Sequence, residues 1–200
     1  ALYYADWDVV GIMFRDWKPA QSHNISIQGT SGKTSYFLSV GYNHEEGVMT
    51  FNPDKLNKYN ANMNVTSDIT NWLQIGGRFS YSDKAYTPPN TRRNTYTYMW
   101  RWGSFFGPYG TYQGIDMKND IAYLKQAGDD KTNDSYTRIG AFLKATIIKG
   151  LTLNADYTFN INNKTTKSVG LPVICWNSWG GKLNTPTTAA GANGDTWEIG

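Results

Sequence analysis

Cysteine is almost missing from these 200 residues: Cys175 stands alone, which excludes an internal disulfide and a cysteine metal cluster and suits a small buried thiol. The two histidines, His23 and His44, are far apart and have no carboxylate set at ligand spacing, so no metal site is expected. Charge is sparse as well. Charged residues are 18% of the chain and the net charge is +3, too little to argue for a nucleic-acid partner. No run approaches the roughly 18 consecutive apolar residues of a transmembrane helix. The mean hydropathy of −0.55 looks water-soluble, but alternating strands escape that test because alternation halves the signal of each one. Residues 1–6 lack the basic start and apolar core of a signal peptide, and an internal piece of a longer protein is the favoured reading. No Ser-His-Asp, Cys-His or isolated carboxylate pair stands out, so no catalytic residue and no enzyme is expected. No cofactor is expected either. The segment from Gly29 to Thr34 has two residues between its glycines and a strand after it, where a phosphate-binding loop needs four and a helix. Asp129, Asp130, Asn133 and Asp134 offer hard oxygens to a calcium ion, although a solvated loop is the simpler reading.

What the chain does have is aromatic residues at 15%, 20 glycines and six stretches in which an apolar residue alternates with a polar one. Tyr36, Leu38, Val40 and Tyr42 take turns with Phe37, Ser39, Gly41 and Asn43. Tyr59, Ala61, Met63 and Val65 take turns with Asn60, Asn62, Asn64 and Thr66. Successive strand side chains point to opposite faces, so each run has one oily and one wet face. The six strands are expected over 22–29, 34–45, 56–66, 72–83, 133–148 and 151–161. Short turns follow the first, third and fifth, and long connections follow the others. A short helix is expected around Asp120 to Gln126.

One end of the sheet is therefore trimmed and the other elaborate, and the runs approach the 9–11 residues with which a tilted strand crosses a bilayer. The oily faces are expected to carry no charge. Tyr36, Tyr42, Tyr59, Tyr81 and Tyr157 are expected towards strand ends, where interfacial rings sit. The wet face, with Asn62, Asn64, Arg78, Arg138, Lys144 and Asp156, suits a water-filled lumen. The fold expected is all-β: part of one large antiparallel transmembrane β-barrel. Its layout would be a loop at 1–21, four strands in 22–83, a long loop at 84–132, two strands in 133–161 and a loop at 162–200, the loops extracellular. Six strands leave two open edges and a spanning sheet must close, so further strands are expected in a longer polypeptide. A soluble β-sandwich carbohydrate-binding module also alternates oily and wet faces and is the alternative.

Several segments in order resemble one family: Asp6-Trp7, the run from Gln21 to Gly29, Lys33 to Tyr42, Glu45-Glu46-Gly47, Lys58 to Val65, Asn71 to Gly76, Ile121 to Leu124, and Ile147 to Leu151. The chain is similar to the SusC/RagA type of TonB-dependent outer-membrane transporter of Bacteroidota. The resemblance implies a barrel of twenty-two strands with an N-terminal plug, energy delivered by TonB through an N-terminal region not in this sequence, and a SusD-like surface lipoprotein as lid. It also implies an outer-membrane location in contact with lipid, and import of glycan fragments or, as a lesser possibility, peptides. The candidate contact residues for cargo or lid are Tyr96, Tyr98, Trp100, Arg101, Trp102, Tyr109 and Tyr112, with Trp176 and Trp179 as a second group. Flat rings beside a cation stack on sugar faces or on peptide side chains, and packing of the loop on itself is the simpler alternative.

Overall fold

The computed structural model describes residues 7–90, Thr97, 110–176 and the backbone of 182–186. Its frame is one antiparallel six-stranded sheet in the order β1 (Ala20–Ser31), β2 (Thr34–Glu46), β3 (Lys55–Asp68), β4 (Leu73–Thr87), β7 (Asp130–Ile148) and β8 (Leu151–Ser168). Two small hairpins, β5 (Thr111–Tyr112) with β6 (Ile115–Asp116) and β9 (Pro172–Trp176) with β10 (Lys182–Pro186), lie outside it. The short turns behave as the sequence predicts. Gly32 and Gly150, at φ 60 and 90, occupy the left-handed region that a two-residue hairpin turn requires. In the third turn the Thr70 hydroxyl accepts from the Leu73 amide at 3.1 Å.

The strands reach further than the alternation does, by a residue or two at the short turns of β1 and β3 and furthest at the long-connection end. There β8 continues from Ile161 to Ser168 and β4 from Asp83 to Thr87, because ladder bonds persist after the oily face has become polar.

Register aligns the oily faces into one surface. Ile27, Leu38, Met63, Phe79, Ile139 and Phe159 form a continuous row across all six strands, and Ile25, Val40, Ala61, Tyr81, Thr137 and Ile161 form the next. No second layer covers that surface among the described residues: Ile25 is 76% exposed and Tyr157 73%. A sandwich would bury it. On β8 the apolar alternation runs from Leu151 to Ile161. Ten steps of about 3.4 Å, tilted by roughly 35–45°, give an apolar band of about 24–28 Å, the height of a barrel's lipid-facing belt.

Two expectations need correction, and one geometry explains both. Asp83 lies on the oily face, in the row His23, Tyr42, Tyr59, Asp83, Ser135 and Asn163, so that face is not free of charge. The row is aromatic on β2 and β3 but polar from β4 onward. Tyr157 shares a row with Tyr36, yet it stands in the middle of the apolar run of β8 rather than near its end. Rows run perpendicular to tilted strands, so an apolar band of constant height must drop along the strand axes from β2 to β8. Asp83 is then above the band, and Tyr157 within it.

A buried apolar cluster lies at the long-connection end, built from residues outside the six strands of the sheet. Met13, Met49, Ile121 and Leu124 are buried there, with Val9, Ile12, Phe14 and Phe51 packed around them. The helix α1 (Val9–Met13) is N-capped by Asp8, whose carboxylate accepts from Gly11 at 2.9 Å. It ends at Met13, well before Pro19. The second helix, α2 (Asp120–Gln126), forms where the sequence places it and is N-capped by Asn119, which accepts from Ala122 at 2.8 Å.

Candidate functional site

The sheet positions the candidate wall residues on one face. Asn62, Asn64, Arg78, Arg138, Lys144 and Asp156 all lie opposite the oily rows, and Asn62, Ser80, Arg138 and Asn160 share one row. Asn62 is held within that row: it donates to Ser39 at 3.4 Å and accepts from the Ser80 hydroxyl. Tyr136 donates to Asn160 at 3.0 Å.

Arg78 and Asp156 meet across an intervening strand. Arg78 on β4 pairs with Gly140 on β7, which pairs with Thr158 on β8. The guanidinium lies 4.8 Å from the ring centroid of Phe142, the residue opposite Asp156, and reaches that carboxylate at 2.8 Å. Phe142 in turn covers Gly76, where an added Cβ would collide with the ring. The ion pair is half exposed, so its contribution is small and its main effect is to fix both side chains.

The second candidate group is only partly visible. Tyr96, Tyr98, Trp100, Arg101, Trp102, Tyr109 and Trp179 lie outside the described residues. The two visible members, Tyr112 and Trp176, come from separate segments and meet. Their rings stand edge to face at 5.9 Å, and the Trp176 indole donates to the Tyr112 carbonyl at 3.0 Å. Tyr112 is exposed, and the Trp176 carbonyl accepts from the Lys118 amide at 2.8 Å.

Side-chain amides assemble the cap that carries this pair. Gln126 donates to the Ile174 carbonyl at 3.0 Å and accepts from the Ile174 amide at 2.9 Å, standing in for a neighbouring strand along β9. Asn52, at φ 44, donates to the carbonyls of Leu124 and Ala127 at 3.3 Å each, covering the C-terminal end of α2. Neither role has a sequence signal, because an isolated Asn or Gln in a loop looks like any solvated amide. Burial pushes the Asp120 carboxyl up to about 6, although it stands at the start of α2, where the helix dipole favours the anion. The Cys175 thiol is buried, and burial raises its pKa. Of the four candidate calcium ligands, strand alternation sends Asp130 and Asp134 to the wet face and Asn133 to the other.

No family model and no curated protein matches the chain. Solved structures share its fold, two of them as follows. A chain of the RagAB peptide transporter is 22% identical with a TM-score of 0.55, over 80% of this chain and 19% of that one. A chain of the RagAB peptide importer in the closed-closed state is 21% identical with a TM-score of 0.56, over 81% of this chain and 19% of that one. The fold is a piece of barrel wall. The chain thus spans less than a fifth of either matched chain, and at this identity the likeness is one of fold.

Proposed function

We propose that the chain forms part of the wall and outer cap of a TonB-dependent transporter in an outer membrane, working as the SusC-like channel of a complex with a surface lipoprotein. The observation that carries this reading is the exposed oily surface, continuous over six strands and about as tall as a bilayer's hydrocarbon layer. The trimmed end would face the periplasm, and the cap would face outward. The wet face would line the lumen, closed by further strands and filled in part by a plug. TonB would act through the region before this one. In this reading the chain has no catalytic chemistry of its own.

Glycan fragments are the proposed cargo. The amide-rich wet face offers paired donors and acceptors for hydroxyl groups, and the Tyr112 and Trp176 rings offer faces for stacking. Peptides are the second reading, favoured by the peptide transporter among the fold neighbours. Fractionation of cells making the native full-length protein tests the proposal. The protein is expected with the outer membrane, migrating faster in unboiled than in boiled gel samples, because a closed barrel resists detergent until heated. Recovery from the periplasm or medium, with no heat-dependent shift, would overturn it.

A further inference from the structure

We infer that the cargo carries carboxylate groups, recognised on the wet face by Arg138 and by the lysine pair Lys58 and Lys84. The inference rests on the transporter reading and concerns the chemistry of what is carried.

Between the row of Ser22 and Asn43 and the row of Thr30 and Ser35, the wet face bears Lys58, Lys84, Lys164, Arg78 and Arg138 against Asp134 and Asp156. Asp156 is taken by Arg78 at 2.8 Å. Beyond these rows Glu45 has a cationic partner, and Asp54, Asp68 and Asp130 accept from neutral donors, which leave a carboxylate's charge in place. Glu45 pairs with Lys18 at 3.1 Å, Asp54 accepts from Tyr86 at 2.9 Å, Asp68 accepts from Gln74 at 2.8 Å, and Asp130 accepts from Ser168. Between the two rows, with Asp134 opposite Lys84 and Lys164, the cations still outnumber the carboxylates, so this stretch of the face carries an excess of positive charge.

Its placement is specific. Lys58 and Lys84 are exposed and directly opposite each other on neighbouring strands, an arrangement of like charges that costs stability; Asp134 faces Lys84 from its other side, whereas Lys58 has only the neutral Asn43 there. Arg138 is exposed as well, and its row neighbours are the neutral Ser80 and Asn160. Its planar fork matches a carboxylate in two-point contact, and the surrounding amides and hydroxyls can bind the uncharged parts of the same molecule. Arg138 lies four residues along β7 from Asp134, the position opposite Lys84, which is about 14 Å of strand. Two cation sites at that separation fit a chain with repeated acidic groups better than a single small anion. Uronate-type oligosaccharides and acidic peptides share this chemistry.

The test is calorimetric binding to the purified full-length protein, using two matched pairs of probes. One pair is hexagalacturonate and its carboxyl-reduced neutral form; the other is hexaglutamate and hexaglutamine. In at least one pair the acidic member is expected to bind about tenfold tighter or better at low salt. That preference should shrink at high salt, and Arg138→Gln or Lys84→Gln should reduce it severalfold. The pair that responds identifies the source as glycan or peptide. Equal affinity within both pairs, or an acidic preference untouched by both substitutions, would overturn the inference. Failure to bind any probe would also count against it, while outer-membrane fractionation and heat-dependent migration would still report separately on the transporter reading.

Discussion

Leu143→Arg is expected to destabilise the assembled barrel by about 2–4 kcal/mol, the cost of an arginine on the lipid face near the bilayer midplane. Leu143 pairs with Ile75 on one side and Ala155 on the other, within the oily rows of β4, β7 and β8. The tilt of the band puts it near mid-height on β7, whereas Leu38 holds the corresponding depth on β2. Leu38→Arg should therefore cost a similar amount despite the different row. Asn62→Ser, on the other face, exchanges one small polar group for another and should cost no more than about 1 kcal/mol, through its bonds to Ser39 and Ser80. Unfolding titrations of the full-length protein in lipid or detergent would measure all three. A large loss at Asn62 with small losses at both leucines would mean that the faces are reversed.

Gly128→Ala should release the cap from the sheet. At Gly128 three segments come together: its carbonyl accepts from the Asn90 amide at 2.8 Å, and the Val169 carbonyl accepts from the Asn90 side chain at 3.0 Å. A methyl group on Gly128 would fall inside van der Waals contact with that Val169 carbonyl oxygen, which is backbone and cannot swing aside. Overpacking of this kind costs about 1–3 kcal/mol or more. The strain falls beside the start of β7 and the end of β8, where Val169 donates to the Asp129 carbonyl at 3.0 Å, and not within the band. Faster proteolysis at the long-connection end is expected, with barrel assembly retained. Unchanged proteolysis would show that the junction yields without cost, and lost assembly would show that cap and wall fold as one unit.

The wall was legible because a strand's two-residue period writes the environment of each face directly into the sequence. Leu38 and Met63 announce one face, Ser39 and Asn62 the other, and register follows once the turns at Gly32 and Gly150 are placed. Strand ends were not legible. Beyond Ile161 the β8 ladder continues through polar residues, and hydrogen bonds between backbones leave no mark in side-chain pattern. The period alone puts Asp83 on the face of Leu73 and Tyr81, but its height above the band, and the place of Tyr157 within it, appear only when neighbouring strands are aligned. The contact of Tyr112 with Trp176 was hidden for another reason. It joins segments far apart in sequence through one side-chain bond to a carbonyl, and no local spacing encodes that.

Lipid-borne quenching across the wall is the most direct measurement. Single cysteines at Ile27, Leu38, Ile139 and Phe159, and at Ser39, Asn62, Arg138 and Asn160, would be introduced into the full-length protein with Cys175 replaced by serine. Each would be labelled with an environment-sensitive fluorophore and reconstituted into vesicles containing brominated lipid. The first four positions share one row of the oily face and the second four share one row of the wet face. Strong quenching confined to the oily row, with the wet row answering only to a water-soluble quencher, is the result expected of a membrane wall. Equal response of both rows to the water-soluble quencher, with none to brominated lipid, would contradict it.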